Sequence, residues 1–137
     1  MPDFQHIKFA AAEGIARLTL DRPERHNALD DTTIRELSEA LDRASADDTI
    51  RLVQIDATGK SFCAGADLDW MKRTAGYSRA DNEADARRLA EMIARLARLP
   101  KPTVGLIQGP AYGGGVGMVA ACDIAIAADT AGFVLSE

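Results

Sequence analysis

The sequence predicts a single α/β domain built from βαβ units, and three observations carry that prediction. Short apolar strands alternate with amphipathic helices, and two glycine-rich turns each end a strand and open a helix. A chain of 137 residues with 47% hydrophobic content can also fill one core, and that composition argues against extensive disorder. One domain over 1–137 is expected, without internal repeats or low-complexity segments.

The first predicted strand is Gly14-Ile15-Ala16-Arg17-Leu18-Thr19-Leu20, where Ala16, Leu18 and Leu20 alternate onto one face before Pro23 stops it. Asp30 or Asp31 then caps a helix whose Ile34, Leu37, Leu41 and Ala44 recur at helical spacing. Its Arg35, Glu36, Glu39 and Asp42 are assigned to the other faces. Leu52-Val53-Gln54-Ile55 reads as a short buried strand leading into the first glycine turn, Lys60 to Asp67. The helix after it begins around Asp67 to Lys72, with Asp67 or Asp69 complementing its positive end. Beyond a turn at Gly76 to Asp81, Leu89, Met92, Ile93, Leu96 and Leu99 mark a long amphipathic helix ended by Pro100 and Pro102. Arg87, Arg88, Glu91 and Arg95 form its solvated face. Thr103 to Ile107 is the next strand, the Gly113-Gly114-Gly115 run opens a small-residue helix through Ala121, and Ile124 to Ala127 is a further strand.

Charge and cysteine usage narrow the function classes. With a net charge of -5 and its Lys and Arg interspersed among Asp and Glu, the chain has no electrostatic case for nucleic acid. Met1-Pro2-Asp3-Phe4-Gln5-His6 lacks the basic start and apolar stretch of a signal peptide, and no uncharged segment reaches transmembrane length. A cytoplasmic setting without a membrane partner is therefore expected. Cys63 and Cys122 lie in apolar or small-residue runs and read as buried reduced thiols, although sequence leaves a disulfide open. His6 and His26 make no metal-spaced pattern and give Cys63 no visible base, so neither a metal site nor a thiol nucleophile is expected.

The two glycine turns are where chemistry is expected. A helix N-terminus leaves backbone N–H groups unpaired and carries a partial positive charge. Two such turns converging can hold one oxyanion, such as that of an activated thioester.

Five segments in order carry a resemblance: Leu18-Thr19-Leu20-Asp21-Arg22-Pro23 followed by Asn27-Ala28-Leu29; Phe62-Cys63-Ala64-Gly65-Ala66-Asp67-Leu68; Pro100-Lys101-Pro102-Thr103; Gly109 through Gly115; and Ala121-Cys122-Asp123-Ile124. Together they resemble the crotonase family, the enoyl-CoA hydratase and isomerase group. The resemblance covers essentially this whole chain but only about the first half of a family member. Within the family, Asp67 to Arg73 with Ala75-Gly76-Tyr77-Ser78 is most similar to bacterial methylglutaconyl-CoA hydratases and the related carboxygeranoyl-CoA hydratases.

The resemblance implies a crotonase-like spiral of βαβ units, incomplete here, with acyl-CoA bent across the glycine loops. It places the thioester-oxygen donors at the N–H groups of Ala66 and Gly114. Substrate contacts fall, by the same matching, on Ala64, Gly65, Asp67 and Leu68, with Arg25 and Ala28 nearby. Arg25 then pairs with a phosphate of coenzyme A or is simply a solvated loop arginine. Tyr112 lines the acyl pocket or packs; Trp70 and Met71 read as core or pocket wall. Family hydratases use two glutamates, and the matching positions here are Gly117 and Glu137. Glu137 is thus the sole matched acid/base; Gly132-Phe133-Val134-Leu135-Ser136 supplies apolar surroundings that raise its pKa if it is buried, and the alternative reading is a frayed, exposed glutamate at the end of the chain.

The implied reaction is hydration of an enoyl-CoA, with 3-methylglutaconyl-CoA as the narrower substrate and Lys72 or Arg73 as candidate partners for its distal carboxylate. Coenzyme A is part of that substrate, so no separate cofactor is implied. The complete protein is implied to be a homotrimer or a dimer of trimers. A single carboxylate also suits a double-bond isomerase, and Gly117 also suits an inactive acyl-CoA-binding homologue. A dinucleotide-binding module is disfavoured because Gly113, Gly114, Gly115 and Gly117 do not give the G-x-G-x-x-G spacing. A piece of this length is expected to expose core edges and so to associate or dissolve poorly.

Overall fold

A hairpin that periodicity alone does not reveal opens the fold, in a computed structural model that describes residues 4–135. Strand β1 (Ile7–Ala12) pairs antiparallel with β2 (Ile15–Leu20), from Ile7 opposite Leu20 to Ala12 opposite Ile15. The connection is Glu13 and Gly14, at φ 54° and 81°, the left-handed geometry of a tight hairpin turn. β1 lies outside the strands expected from the sequence because only Ile7 is buried along it, so no alternation marks it.

β3 (Leu52–Ala57), β4 (Thr103–Ile107) and β6 (Ile124–Ala127) extend this hairpin in parallel, giving a sheet of order β1-β2-β3-β4-β6. β4 and β6 coincide with the predicted strands, while β3 runs past Ile55 to Ala57. Two short strands, β5 (Ala111–Tyr112) and β7 (Phe133–Val134), form a second parallel pair.

Helix α1 (Asp31–Ala46) crosses from β2 to β3, and Asp30 caps it by accepting the Thr33 N–H. Ile34, Leu37, Leu41 and Ala44 are all buried, as their spacing predicts. Glu36 departs from expectation: it is 2% exposed rather than solvated. Its Oε1 accepts the backbone N–H groups of Gln5 at 2.6 Å and His6 at 2.8 Å, so the carboxylate is buried because two amides entering β1 need an acceptor. Helices α2 (Leu68–Thr74) and α3 (Arg79–Ala97) follow, capped by Asp67 and Ser78, and α4 (Gly114–Ala121) follows the triple glycine. α3 buries Met92 and Leu96 and packs against α1 and α4. The core gathers these residues with Leu18, Leu20, Val53, Ile55, Ile107 and Met118.

Side chains tie the helix ends to the sheet. Lys101 donates from Nζ to the Ala44 and Asp47 carbonyls, both at 2.7 Å, closing the C-terminal end of α1 with a positive charge. Thr103 and Asp123 exchange bonds across β4 and β6: Thr103 N–H donates to Asp123 Oδ2 at 2.9 Å, and Asp123 N–H donates to Thr103 Oγ1 at 2.8 Å.

The C-terminal side of the described chain is open. Every residue of β6 and β7 is exposed, including Ile124, Ile126, Phe133 and Val134, and Leu135 is 73% exposed. This exposure agrees with the expectation of uncovered core edges. Among the described residues, no helix is long and apolar enough to cross a membrane.

Replacing Lys101 with Met removes two charge-assisted hydrogen bonds and leaves the α1 carbonyls without that partner. The expected loss is about 2 kcal/mol of unfolding free energy, read from the urea midpoint at constant m-value. An unchanged midpoint would show that water replaces the ammonium at no cost.

Candidate active site

Backbone pairing brings the two glycine turns together. Leu29 N–H donates to the Gly65 carbonyl, and Asp67 N–H donates to the Leu29 carbonyl, both at 2.7 Å, forming a parallel bridge between Leu29 and Ala66. Successive peptide groups in such a ladder point to opposite sides, so the N–H and C=O of Ala66 face away from Leu29. A second bridge joins Cys63 to Ala111, through Tyr112 N–H to the Cys63 carbonyl at 2.9 Å and Cys63 N–H to the Pro110 carbonyl at 3.3 Å. β5 then carries the ladder on to β7.

The second turn fits only because its residues are small. Gly113 caps α4 at φ 52° and ψ -117°, a conformation that residues with a Cβ rarely adopt. A Cβ on Gly115 would lie 2.6 Å from the Cys63 carbonyl oxygen, so α4 approaches the first turn more closely than a side chain allows. The Leu29 side chain in turn lies against Gly114.

Ala66 and Gly114 consequently line one cleft of about 440 Å³, with Leu29, Leu68, Trp70, Met71 and Leu89 as its apolar wall. Among the described residues, neither the Ala66 nor the Gly114 N–H has a hydrogen-bond acceptor. Gly114 N–H is free as the first residue of α4. Ala66 N–H is free for a different reason: it precedes α2, and the bridge to Leu29 turns it outward. A second cleft of about 370 Å³ shares Ala64, Ala66 and Leu68 with the first and carries Arg25, His26, Ala28 and Asp67. The two clefts meet at Ala66, and the second carries the charged residues Glu24, Arg25 and Asp67 in its lining.

The sequence-predicted residues divide accordingly. Ala64, Ala66, Leu68, Gly114, Arg25, Ala28 and Asp67 all line one or both clefts. Gly65 and Tyr112 line neither; they supply the backbone beneath, where a Cβ on Gly65 would meet the Tyr112 carbonyl oxygen at 3.0 Å. Trp70 and Met71 both line the cleft, and Trp70 also belongs to the buried core. Arg25 is paired with Asp69 at 2.8 Å on the open rim. Arg73 is paired with Asp31 at 3.1 Å and lines neither cleft. Gly117 packs against α3, where a Cβ would lie 3.1 Å from Ile93 Cδ1. Glu137 lies outside the described residues.

A buried polar chain that sequence reasoning missed runs under the Leu29–Ala66 bridge. Arg22, 14% exposed, donates from Nη1 to Asp30 Oδ2 at 3.0 Å and from Nη2 to Asp67 Oδ2 at 3.5 Å. Asp67 Oδ1 accepts the Trp70 N–H at 3.0 Å, capping α2. Asp30 Oδ1 accepts from Thr33 N–H at 2.8 Å, from the Thr33 hydroxyl, and lies 3.1 Å from His6 Nδ1. Asn27, 2% exposed, accepts the Arg22 N–H and donates to the Thr58 and Ser61 carbonyls. Asp-Arg-Pro and Asn-Ala-Leu are visible in the sequence, but nothing local says that Arg22 meets Asp67.

The thiols take no part. Both cysteines are unpaired, and burial pushes Cys63 and Cys122 up to about 11, which leaves them neutral and poorly nucleophilic at ordinary pH.

A parallel sheet edged by a hairpin, crossed by helices and topped by two convergent backbone donors is the architecture of a crotonase-type domain. Residues 10–137 match the family model for enoyl-CoA hydratase/isomerase, and the chain belongs to that family. It is 36% identical over 130 residues to 4-chlorobenzoyl coenzyme A dehalogenase-1 of an Arthrobacter species, covering 94% of this chain and 47% of that protein. It is 37% identical over 125 residues to 1,2-epoxyphenylacetyl-CoA isomerase of Escherichia coli K12, covering 90% and 48%. The crystal structure of an enoyl-CoA hydratase from Shewanella pealeana superposes with a TM-score of 0.93 at 38% identity, covering 95% of this chain and 49% of that one. The chain thus spans about half the length of these relatives.

Asp30 supplies a pH test of the buried chain. Burial alone would raise its carboxyl, but the Thr33 N–H and hydroxyl together with the His6 and Arg22 charges outweigh it and hold the group below the ordinary carboxylate range. Its folded value is depressed, so its stabilising contribution is complete above the unfolded carboxylate pKa and is lost as pH falls through the folded value. Asp30→Asn is expected to flatten the acid limb of the stability curve below about pH 4. Chemical denaturation across that range reads the slope, and parallel acid limbs would contradict the assignment.

Proposed function

We propose that this chain carries the thioester-binding half of an enoyl-CoA hydratase. The observation that supports it most is that the Ala66 and Gly114 N–H groups, without an acceptor among the described residues, line one cleft at its junction with a second that carries Arg25 and Asp67. A thioester oxygen seated between them gains two hydrogen bonds that strengthen as it becomes an enolate oxygen, and losing one such donor costs roughly 3 kcal/mol of transition-state stabilisation. The acyl chain then runs along Leu29, Leu68, Trp70, Met71 and Leu89, and the coenzyme A moiety bends at Ala66 toward Arg25 and His26. A phosphate arriving there competes with Asp69 for Arg25.

In the hydration, a carboxylate takes one proton from water as the water oxygen bonds to the β carbon and the double bond shifts toward the thioester oxygen. The enolate then collapses as a proton is delivered to the α carbon. Glu137 is the group we assign to water activation or to α-proton delivery. With Gly117 in place of a second carboxylate, one residue serves both roles or a substrate carboxylate orients the water. The second option suits 3-methylglutaconyl-CoA, and Lys72, which has no ion-pair partner among the described residues, is the cation left for that carboxylate because Arg73 is held by Asp31.

Gly117 also favours a second reading, double-bond isomerisation. Its position is packed against Ile93 rather than carrying an acid, and moving one proton between carbons needs a single carboxylate. We further propose that the complete protein is a homo-oligomer, a trimer or a dimer of trimers, with the exposed strands β6 and β7 among the surfaces that become covered.

Incubating the protein with crotonyl-CoA and 3-methylglutaconyl-CoA and weighing the thioester products by mass spectrometry separates these readings. Gain of one water, faster on the methylglutaconyl substrate and lost in Glu137→Gln, is expected. Unchanged mass with a displaced double bond assigns isomerisation. Tight acyl-CoA binding without reaction assigns a homologue without this chemistry, and an unaffected Glu137→Gln variant removes Glu137 from the mechanism.

A further inference from the structure

We propose that Arg22 is a positioning residue for the Ala66 oxyanion donor, acting by clamping together the two backbone segments whose bridge aims that N–H into the cleft. The inference rests on the oxyanion reading above and adds the side chain that sets it.

The clamp is visible in the order of residues. Asp30 directly follows Leu29, and Asp67 directly follows Ala66, so the two carboxylates stand one residue beyond each member of the bridge. Arg22 reaches one with Nη1 and the other with Nη2. The three side chains are 14%, 11% and 5% exposed, so the charges sit where solvent screens them poorly. Without the guanidinium, two nearly buried carboxylates would be left without their shared cation and would repel each other across the bridge. Breaking such an arrangement by removing one partner is costly because the remaining charge is uncompensated.

The arginine is itself held in place. Its N–H donates to Asn27 Oδ1 at 2.7 Å, its carbonyl accepts the Asn27 N–H at 2.9 Å, and Nη1 also reaches the Ala28 carbonyl at 3.5 Å. Asn27 bonds onward to Thr58 and Ser61, which anchors the loop to the segment entering the first glycine turn. Arg22 is therefore a fixed post rather than a mobile surface charge. Asp67 does not need it to cap α2, because Oδ1 takes the Trp70 N–H while Oδ2 faces Arg22. This division of labour separates helix capping from clamping. A lysine cannot reproduce the clamp, since one ammonium is a point charge where a planar fork reaches two carboxylates.

The experiment uses butyryl-CoA carrying 13C at the thioester carbonyl, a saturated ligand that cannot be hydrated. Polarisation by two N–H donors moves the carbonyl resonance downfield on binding. The wild-type protein is expected to give that shift, and Arg22→Lys and Arg22→Met are expected to lose more than about half of it while melting cooperatively, because small misplacement of a donor forfeits most of its effect. Should the Arg22 variants fail to fold, Asp67→Asn keeps the acceptor for Trp70 N–H, removes the charge facing Arg22, and is expected to lose the shift likewise. A folded Arg22→Lys, or Asp67→Asn in its place, that retains the full wild-type shift would overturn the proposal while leaving the oxyanion reading intact. No shift in the wild-type protein would overturn both.

Discussion

The parallel bridge between Leu29 and Ala66 is the constraint on which the site depends. It uses the N–H groups of Leu29 and Asp67 and the carbonyls of Gly65 and Leu29, and so leaves Ala66 N–H with no acceptor among the described residues. Ala66 itself is exposed, so that N–H stands open to water or to a ligand in the cleft. The sheet, α1 and the first glycine turn all converge to hold that pairing: β2 delivers Arg22, the capped start of α1 delivers Leu29, and β3 delivers the turn. The second donor has a different origin. Gly114 N–H is unpaired because it begins a helix, and it reaches the same cleft because Gly115 lets α4 approach the Cys63 carbonyl. One donor comes from strand-like pairing and the other from a helix end.

Polar residues inside the structure serve this backbone arrangement. Glu36 answers two amides of the N-terminal segment, Asn27 joins two loops, and Arg22 neutralises Asp30 and Asp67 together. Among the described residues, no buried side-chain nitrogen or oxygen is left without a partner. That completeness matters because a partly satisfied polar cluster in a low-dielectric interior is worse than an apolar one. The apolar core supplies the general stability, whereas these bonds select the loop conformations that a hydrophobic core alone leaves open.

Much of the fold was legible in the sequence, and the exceptions share a cause. Strands β4 and β6 and the apolar stripe of α1 follow from local periodicity, and of the residues offered for the two helix starts Asp30 and Asp67 are the caps. β1 escaped because its pairing with β2, rather than its own pattern, makes it a strand. Glu36 escaped because its partners are backbone amides about thirty residues away. Resemblance pointed to Ala66 and Gly114; the structure orients the Ala66 N–H by its bridge to Leu29 rather than by a helix end, which the glycine turns alone do not reveal. The Arg22 clamp is invisible locally because it joins residues 45 positions apart.

The three relatives named above bear names of a dehalogenation, an isomerisation and a hydration, each of a coenzyme A derivative. A shared pair of backbone donors fits that spread, because stabilising an oxyanion serves each reaction while the surrounding groups decide which follows. Gly117 and Glu137 bear on that choice here. The central claim, that Ala66 and Gly114 together receive the thioester oxygen, is tested most directly by calorimetric titration with butyryl-CoA and with its thioether analogue, which lacks that oxygen. Two hydrogen bonds of about 1 kcal/mol each predict roughly 30-fold tighter binding of the thioester. Equal affinities for the two ligands would contradict the account.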